Sequence, residues 1–364
     1  MNSIPAALPR ARTPDPRSAP SLRWGVLGTG WIAGKFVTAI QRHSSQHIVA
    51  IGSRSIESAT GFARRFGIEQ AHGSYEQLAS DPGVDVVYIA TPHNTHLPHA
   101  LLALQSGKHT VVEKPLALNA IQGQRIADEA RSRGLFCMEA YWTAFLPKFD
   151  VLGQLLGADA VGDVAAVVAD FGEWFSASHR IHRPELAGGP MLDLGTYLIS
   201  FVLDVVGPPD HIIAAGTTTG TGVMGQTAML LSRQDQQAVL HTTILANTPT
   251  TATIAGTAAT IEIDGPFYQP GGFTLTAADG STRLRYDEPR SAHEGLYYQA
   301  AEVARRITAG ETGSPLRPLS ASISVLRVLD EVRRQTRDRY PNEDDDWRGV
   351  EVNAHRSTDR PKGS

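Results

Sequence analysis

Two short segments carry residue types that move protons. Lysine is scarce here, five of the 33 Lys+Arg residues. One of the five, Lys114, stands in Glu113-Lys114-Pro115 directly after the apolar run His109–Val112. A lysine at such a strand end, placed beside a reacting carbon, can exchange a proton with a substrate oxygen. Further on, Met191-Leu192-Asp193-Leu194-Gly195-Thr196-Tyr197-Leu198-Ile199 is apolar nearly all round, as a buried helix is. Asp193 and Tyr197 are four apart and share one helical face. A buried Asp is costly unless it is paired, and Gly195 between them lets another group approach the backbone. A surface lysine and a structural Asp–Tyr hydrogen bond are the plain alternatives. Together these features suggest a site.

A second motif supplies a cofactor site. Gly28-Thr29-Gly30-Trp31-Ile32-Ala33 follows the strand candidate Trp24–Leu27 and opens a helical pattern. It fits G-x-G-x-x-G/A, in which the glycines make a tight turn and let a pyrophosphate approach the backbone at a helix N-terminus. Gly28, Gly30, Trp31 and Ile32 are its expected contacts. The second strand, His47–Gly52, ends in Ser53-Arg54 where a cofactor with a free 2′-hydroxyl prefers an acid. Arg54 can pair with a 2′-phosphate and Ser53 can donate to it, so NADP is expected over NAD. His93, His96 and His99 invite a metal reading, but no acid in that segment completes a ligand set, so no metal is expected. No G-x-S-x-G elbow is present.

These residues need a scaffold, and the pattern names one. Between Arg23 and Glu139, short continuous apolar runs alternate with segments of helical period: runs at 24–27, 47–52, 84–90, 110–112 and 135–138. Such alternation implies a doubly wound parallel sheet. After about residue 160, runs rich in Thr, Ile and Val follow one another at 164–171, 211–219, 225–232, 238–245, 251–255, 259–264, 273–277 and 282–286. Most have no helix between them, which implies a mostly antiparallel sheet. Helices are expected at 190–206, 293–309 and 319–338. The fold class is therefore α/β: an N-terminal Rossmann domain over 23–140 and a C-terminal α+β domain with a large open-faced sheet over 141–339. The proline-rich residues 1–22 read as a disordered arm, and the polar residues 340–364 as a disordered tail.

Composition excludes other classes. The net charge of −4 argues against non-specific nucleic-acid binding. No apolar run suggests a membrane helix. One cysteine, Cys137, excludes an intrachain disulfide and, with no secretory h-region, leads to the expectation of a cytoplasmic protein.

GTGWIA, the SR pair, ATPHNTH, EKP and GGPMLDLGTY together resemble the Gfo/Idh/MocA oxidoreductases over about residues 23–338. MEAYWTAFLP and SHRIHRPELAGG resemble the dihydrodiol-dehydrogenase branch, which also oxidises aldoses with NADP. The resemblance implies that Lys114 is the acid/base, with a cis bond to Pro115, and that Tyr197 and Asp193 face the substrate. It implies that Thr91, Pro92, Asn94, His96, Glu113 and Lys114 itself belong to the cofactor site. Trp142 and Phe145 match an aromatic wall of the substrate pocket, and His179 and Arg180 are further substrate candidates. Ala144 departs from that branch's W-T-R pattern, which leaves the substrate open. The expected function is hydride transfer between NADP(H) and a carbinol or carbonyl carbon of a sugar or cyclic diol, with Asp193 orienting Tyr197 or holding a neighbouring hydroxyl. The rivals are a nucleotide-sugar ketoreductase, using Arg180, Arg183, His179 and His182 as a basic cluster, and a non-catalytic NADP-sensing regulator. The partners expected are a small polyol or sugar and a second copy of the chain, docked through the open sheet.

Overall fold

The computed structural model describes residues 4–341 and residue 343. The first sheet has six parallel strands: β1 (Arg23–Leu27), β2 (His47–Gly52), β3 (Gln70–His72), β4 (Val86–Ile89), β5 (His109–Glu113) and β6 (Cys137–Ala140). Their order is β3-β2-β1-β4-β5-β6. Its helices are α1 (Trp31–His43), α2 (Ile56–Phe66), α3 (Tyr75–Ala79), α4 (His96–Gln105) and α5 (Ala120–Arg133). Strand order reverses between β1 and β4, and ligands of such sheets bind outside the carboxyl ends of the strands at that point. Gly28, Thr91 and Lys114 follow directly or closely on the carboxyl ends of β1, β4 and β5, so all three meet there. Local chemistry matches: Ser74 caps α3 through the Gln77 N–H, and Gly67 and Gly134 end α2 and α5 in the left-handed conformation. The sequence pattern did not reveal the three-residue β3.

The second half holds α6 (Pro147–Gly157), β7 (Val164–Gly172), α7 (Thr196–Val206), β8 (His211–Thr218), β9 (Met224–Arg233), β10 (Gln236–Thr243), β11 (Ala252–Gly256), β12 (Ala259–Ile263), β13 (Phe273–Ala277), β14 (Arg283–Tyr286), α8 (Tyr297–Thr308) and α9 (Leu319–Thr336). The eight strands run β14-β13-β12-β11-β7-β10-β9-β8, antiparallel except for β7 beside β10. Helix α6 is an addition to the sequence pattern, although Pro147 at its start and buried Val151, Leu152 and Leu155 are an ordinary helical signature. The segment expected as one helix from 190 begins with a π turn, Met191–Gly195, before α7. Residues 184–206 are long and apolar enough to match a membrane span, yet 83% of that window is buried inside the protein.

One face of the eight-stranded sheet is open. Val168, Val239, Leu230 and Ile213 are cross-strand neighbours on β7, β10, β9 and β8. Val168, Val239 and Ile213 are 51%, 52% and 64% exposed.

The expected disordered arm is corrected over residues 4–22. Asp150 on α6 pairs with Arg12, Gln154 donates to the Arg10 carbonyl, and Arg305 on α8 donates to the Asp15 carbonyl. At its other end Ser45 and Gln46 donate to the carbonyls of Arg17 and Pro20. Asp15 caps a short 3-10 turn, Pro16–Ser18. Proline fixes φ without an N–H to satisfy, so the arm lies along the body mostly by side-chain contacts, joined at its end by the His47 N–H on the Leu22 carbonyl at 3.1 Å. The expected tail lies outside the described residues apart from Tyr340, Pro341 and Glu343.

A buried ion pair joins the two halves behind Lys114. Glu139, from β6, accepts from Arg317 Nε at 2.9 Å and Nη2 at 2.6 Å, from Ser322 Oγ at 2.7 Å and from the Leu116 N–H at 2.9 Å. Arg317 also reaches Ser200 on α7.

Candidate active site

Lys114 Nζ donates to Asp193 Oδ1 and to the Asp193 carbonyl, both at 2.7 Å. Arg180 Nη2 takes the other carboxylate oxygen at 2.9 Å. Burial opposes the charge on Asp193, but Lys114 and Arg180 outweigh it and hold the carboxyl well below the usual range. Lys114 follows β5 and forms a cis bond with Pro115. An ammonium has three N–H donors; two are taken by Asp193, and one remains for a substrate oxygen.

Tyr197 lies beside this pair, its ring centroid 5.0 Å from Lys114 Nζ. Its hydroxyl accepts from Trp142 Nε1 at 3.0 Å. Burial pushes the phenol well above its usual pKa, so Tyr197 keeps its own proton and can donate it. Asp193 therefore does not orient Tyr197, as the four-residue spacing suggested. The carboxylate takes two cations from elsewhere in the chain, and an indole N–H holds the phenol in place.

An aromatic wall surrounds Tyr197. Tyr268 is 4.4 Å from it between ring centroids, and Phe171 stacks on Tyr268 at 4.7 Å. Trp142 meets Tyr268 edge-on and lies 5.6 Å from the His293 ring. Phe145, on the same turn as Trp142, joins the hydrophobic core. His293 in turn meets Trp31 of the glycine loop at 4.8 Å. A chain of contacts thus runs from the glycine loop to the Tyr197 hydroxyl. The sequence reading did not include Phe171, Tyr268 or His293. Phe171 had a signal, as the last inward residue of a recognised strand; Tyr268 and His293 sit in or beside irregular segments with no local pattern. His179 stacks on Phe175 and caps the Ile181 N–H, while Arg180 joins Asp193 directly.

The loop that should hold a dinucleotide has the shape for one. Gly28 has φ +102°, and a Cβ there would stand 2.8 Å from the Ala90 carbonyl oxygen. A Cβ on Gly30 would meet nothing within 4 Å, so the space before the α1 N-terminus is open. No side chain caps that terminus, which leaves its N–H groups for an anion. Trp31 is 64% exposed. His93 Nδ1 and Asn94 Oδ1 are buried without a hydrogen-bond partner, as polar atoms of a cofactor loop would be before a ligand reaches them. The residues fit NAD(P). Ser53 is buried and Arg54 exposed at the end of β2. Tyr75 and His99 meet edge-on at 4.4 Å near Arg54, and Thr91 Oγ1 contacts His99 Nδ1.

Glu113 and His96 tie the loops together. Tyr88 donates to the buried Glu113 carboxyl, which accepts the Lys114 N–H at 3.1 Å, and burial pushes Glu113 up to about 7. His96 places its ring nitrogens 2.8 Å from the Pro115 carbonyl and 2.9 Å from that of Thr91. Among the described residues, no group of three or more His, Cys, Asp or Glu could hold a metal ion.

A family model described as "Oxidoreductase family, NAD-binding Rossmann fold" matches residues 22–141, and the "GFO/IDH/MocA C-terminal domain" matches 149–262. Trans-1,2-dihydrobenzene-1,2-diol dehydrogenase of Xenopus tropicalis is 35% identical over 331 residues, covering 88% of this chain and 99% of the relative. The chain belongs to the Gfo/Idh/MocA oxidoreductase family. The enzyme of the same name from Oryctolagus cuniculus is 36% identical and covers 87% of this Gfo/Idh/MocA chain and 99% of its own. Two solved structures share the fold. Levoglucosan dehydrogenase in complex with NADH and levoglucosan has TM-score 0.79 at 19% identity, covering 87% of this chain and 98% of that one. A 3-ketoreductase from Actinomadura kijaniata, with NADP and TDP-benzene, has TM-score 0.78 at 24% identity, covering 88% and 99%. This Gfo/Idh/MocA member is an oxidoreductase with an NAD(P)-binding Rossmann domain.

One buried and two half-buried histidines imply a pH dependence. Burial pushes His96, His99 and His293 down to about 4. Unfolded imidazole takes its proton near 6.5, so between about 6.5 and 4 the unfolded state binds more protons and stability falls as pH falls. Glu113 and Asp330, both raised to about 7, act in the opposite direction. A single substitution isolates the histidine: His99→Gln makes the melting temperature depend less steeply on pH across this window. An unchanged slope would show that His99 is not held neutral.

Proposed function

We propose that the protein transfers a hydride between NADP(H) and a carbinol or carbonyl carbon of a neutral cyclic diol or sugar. The observation that carries this is that Lys114 Nζ, paired with Asp193, stands 5.0 Å from the ring of Tyr197, which is itself walled by Tyr268 and Trp142. Lys114 and Tyr197 both retain a hydrogen for a substrate oxygen. In the reducing direction Lys114 donates a proton to the carbonyl oxygen as it gains charge, and Tyr197 donates a second hydrogen bond. In the oxidising direction the lysine, as amine, accepts the hydroxyl proton. Asp193 holds Nζ in place and balances its charge. The nicotinamide, when bound, supplies or accepts the hydride. Flat rings suit walls built from Trp142, Tyr268 and Phe171, and the dihydrodiol dehydrogenases among the relatives support that class. An NADP-coupled screen of cyclic diols, aldoses, inositols and anhydro sugars tests the reading; no absorbance change at 340 nm with any of them overturns it.

The nucleotide-sugar rival is disfavoured. Three of its four basic residues are engaged internally, Arg180 with Asp193, His179 with the Ile181 N–H and His182 with the Phe175 carbonyl, which leaves Arg183 exposed. A regulator would not need Lys114, Asp193 and Tyr197 assembled as they are. For the cofactor we favour NADP, because Arg54 is exposed at the end of β2 and the Ser53-Arg54 pair stands where an acid would serve a free 2′-hydroxyl. Arg54→Ala raises the Michaelis constant for NADP by about tenfold or more, the loss of one charge-assisted contact, and leaves that for NAD unchanged. Equal effects on both would remove the assignment.

The open sheet supports a homodimer. The row Val168, Val239, Leu230 and Ile213 is too apolar to remain in water over a broad flat face. Light scattering is expected to give twice the monomer mass, and Val239→Asp to halve it; a monomeric wild type at micromolar concentration rules the dimer out.

A further inference from the structure

Lysine is rare in this chain, and Lys148 is fully buried at 0% exposure, outside the acid/base set. It is the second residue of α6. Its Nζ donates to the Phe267 carbonyl at 2.8 Å and to the Gln269 carbonyl. The carbonyl between them, on Tyr268, accepts from Thr143 Oγ1 at 2.9 Å. Three successive carbonyls are thus held by side chains. Glu288 fastens both ends of the arrangement, accepting from the Lys148 N–H at 3.1 Å and from the Gly271 N–H at 3.4 Å.

Apart from the packing of Phe267 on Phe201 and the Asp264 N–H on the Gly272 carbonyl, few backbone bonds fix the segment. It lies between β12 and β13, with the Phe267 N–H on the Thr250 carbonyl and a local turn from Gln269 to Pro266. Buried carbonyls without a ladder need donors. One ammonium can serve two that face the same way, which an apolar side chain of equal length cannot. Burial is unfavourable for the ammonium and pushes Lys148 down to about 8, against the raising effect of Glu288 and Asp264. An ammonium buried at that cost and bonded to two carbonyls restricts the backbone that carries them. The conformation fixed here is that of Tyr268, whose ring lies against Tyr197, Phe171 and Trp142.

We propose that Lys148, with Thr143, is a positioning residue for the substrate pocket: by clamping the carbonyls of residues 267–269 it sets the Tyr268 wall against Tyr197. Lys148 acts through Tyr268 and touches neither substrate nor cofactor. This rests on the reading of the Lys114–Tyr197 cleft as the substrate site.

The test uses the full chain and four variants: Lys148→Met, Lys148→Arg, Thr143→Val and Tyr268→Ala, with the double variant Lys148→Met/Tyr268→Ala. Hydrogen exchange read by mass spectrometry needs no substrate. Lys148→Met is expected to speed exchange about tenfold in residues 264–272 and leave the glycine loop unchanged. With the diol or sugar that the wild type oxidises, KM is expected to rise about fivefold to twentyfold, with kcat within about twofold. NADPH affinity, read by its fluorescence, stays unchanged. Lys148→Arg restores at least about half of the lost KM effect, and in the Tyr268→Ala background Lys148→Met adds less than about twofold. Unchanged exchange in 264–272, an unchanged KM, or full additivity with Tyr268→Ala overturns the proposal. If Lys148→Met does not fold, Thr143→Val is read by the same criteria, with an expected KM rise of about threefold. If the wild type oxidises no polyol, the functional reading fails by itself, and the exchange measurement still decides whether the clamp exists.

Discussion

Replacing Lys114 by alanine is expected to lower turnover by about 10²–10⁴, the usual contribution of a general acid/base, while NADP(H) affinity is retained. The geometry separates the two effects. Lys114 Nζ is held by Asp193, at 2.7 Å to both its carboxylate and its carbonyl, whereas the glycine loop and the α1 N-terminus follow another strand. The fold should survive, because Asp193 keeps Arg180 at 2.9 Å and is not left as an unpaired buried charge. Single-turnover kinetics with a saturating substrate from the screen, beside a fluorescence titration with NADPH, make the measurement. Turnover within about tenfold of wild type would remove Lys114 from the acid/base role. Loss of NADPH binding would instead assign Lys114 to the cofactor site.

The second large effect is on stability. Arg317→Met leaves Glu139 buried with its carboxylate uncompensated, and breaking such a pair costs about 3–5 kcal/mol. Arg317 and Glu139 are 2% and 1% exposed at the side chain. The guanidinium also covers the Tyr141 ring at 4.4 Å, so packing is lost with charge. The loss reaches the site because the Leu116 N–H depends on the same carboxylate, two residues from Lys114. Denaturant unfolding should show the loss, and the double variant Arg317→Met/Glu139→Gln should recover part of it, since the second change removes the orphaned charge. A loss below about 1 kcal/mol in the single variant would mean that water or a rearranged partner reaches Glu139.

The parts of the fold that were legible share one property: their signal lies within a few residues. The alternation of apolar runs with helical periods from Arg23 to Glu139 matches β1–β6 and α1–α5, apart from the short β3. The Thr-, Ile- and Val-rich runs match β7–β14 to within two residues at most ends. The α6 signature is equally local, but its apolar positions run on from the aromatic motif at 141–146 and blur the helical period. The arm failed for a related reason: proline content reports the absence of a backbone ladder, and cannot report Arg12 on Asp150, 138 residues away.

The site divides in the same way. By itself the sequence determined that a glycine turn opens a helix after the first strand, that a rare lysine closes the fourth apolar run, and that Asp193 and Tyr197 lie close together on a buried segment. Near neighbours set the backbone period, and the period sets which side chains share a face. Tertiary structure alone decided the partners. Asp193 takes Lys114, 79 residues distant, rather than Tyr197, and the π turn at Met191–Gly195 alters the helical register on which the four-residue argument relied. Tyr197 takes Trp142 from 55 residues away, and Lys148 takes the carbonyls beside Tyr268 from 119 and 121 away. Such pairings follow from how the chain folds back on itself. Charge, hydrogen-bond need and excluded volume choose among the groups that the completed fold has already brought within reach, and no local period records that choice.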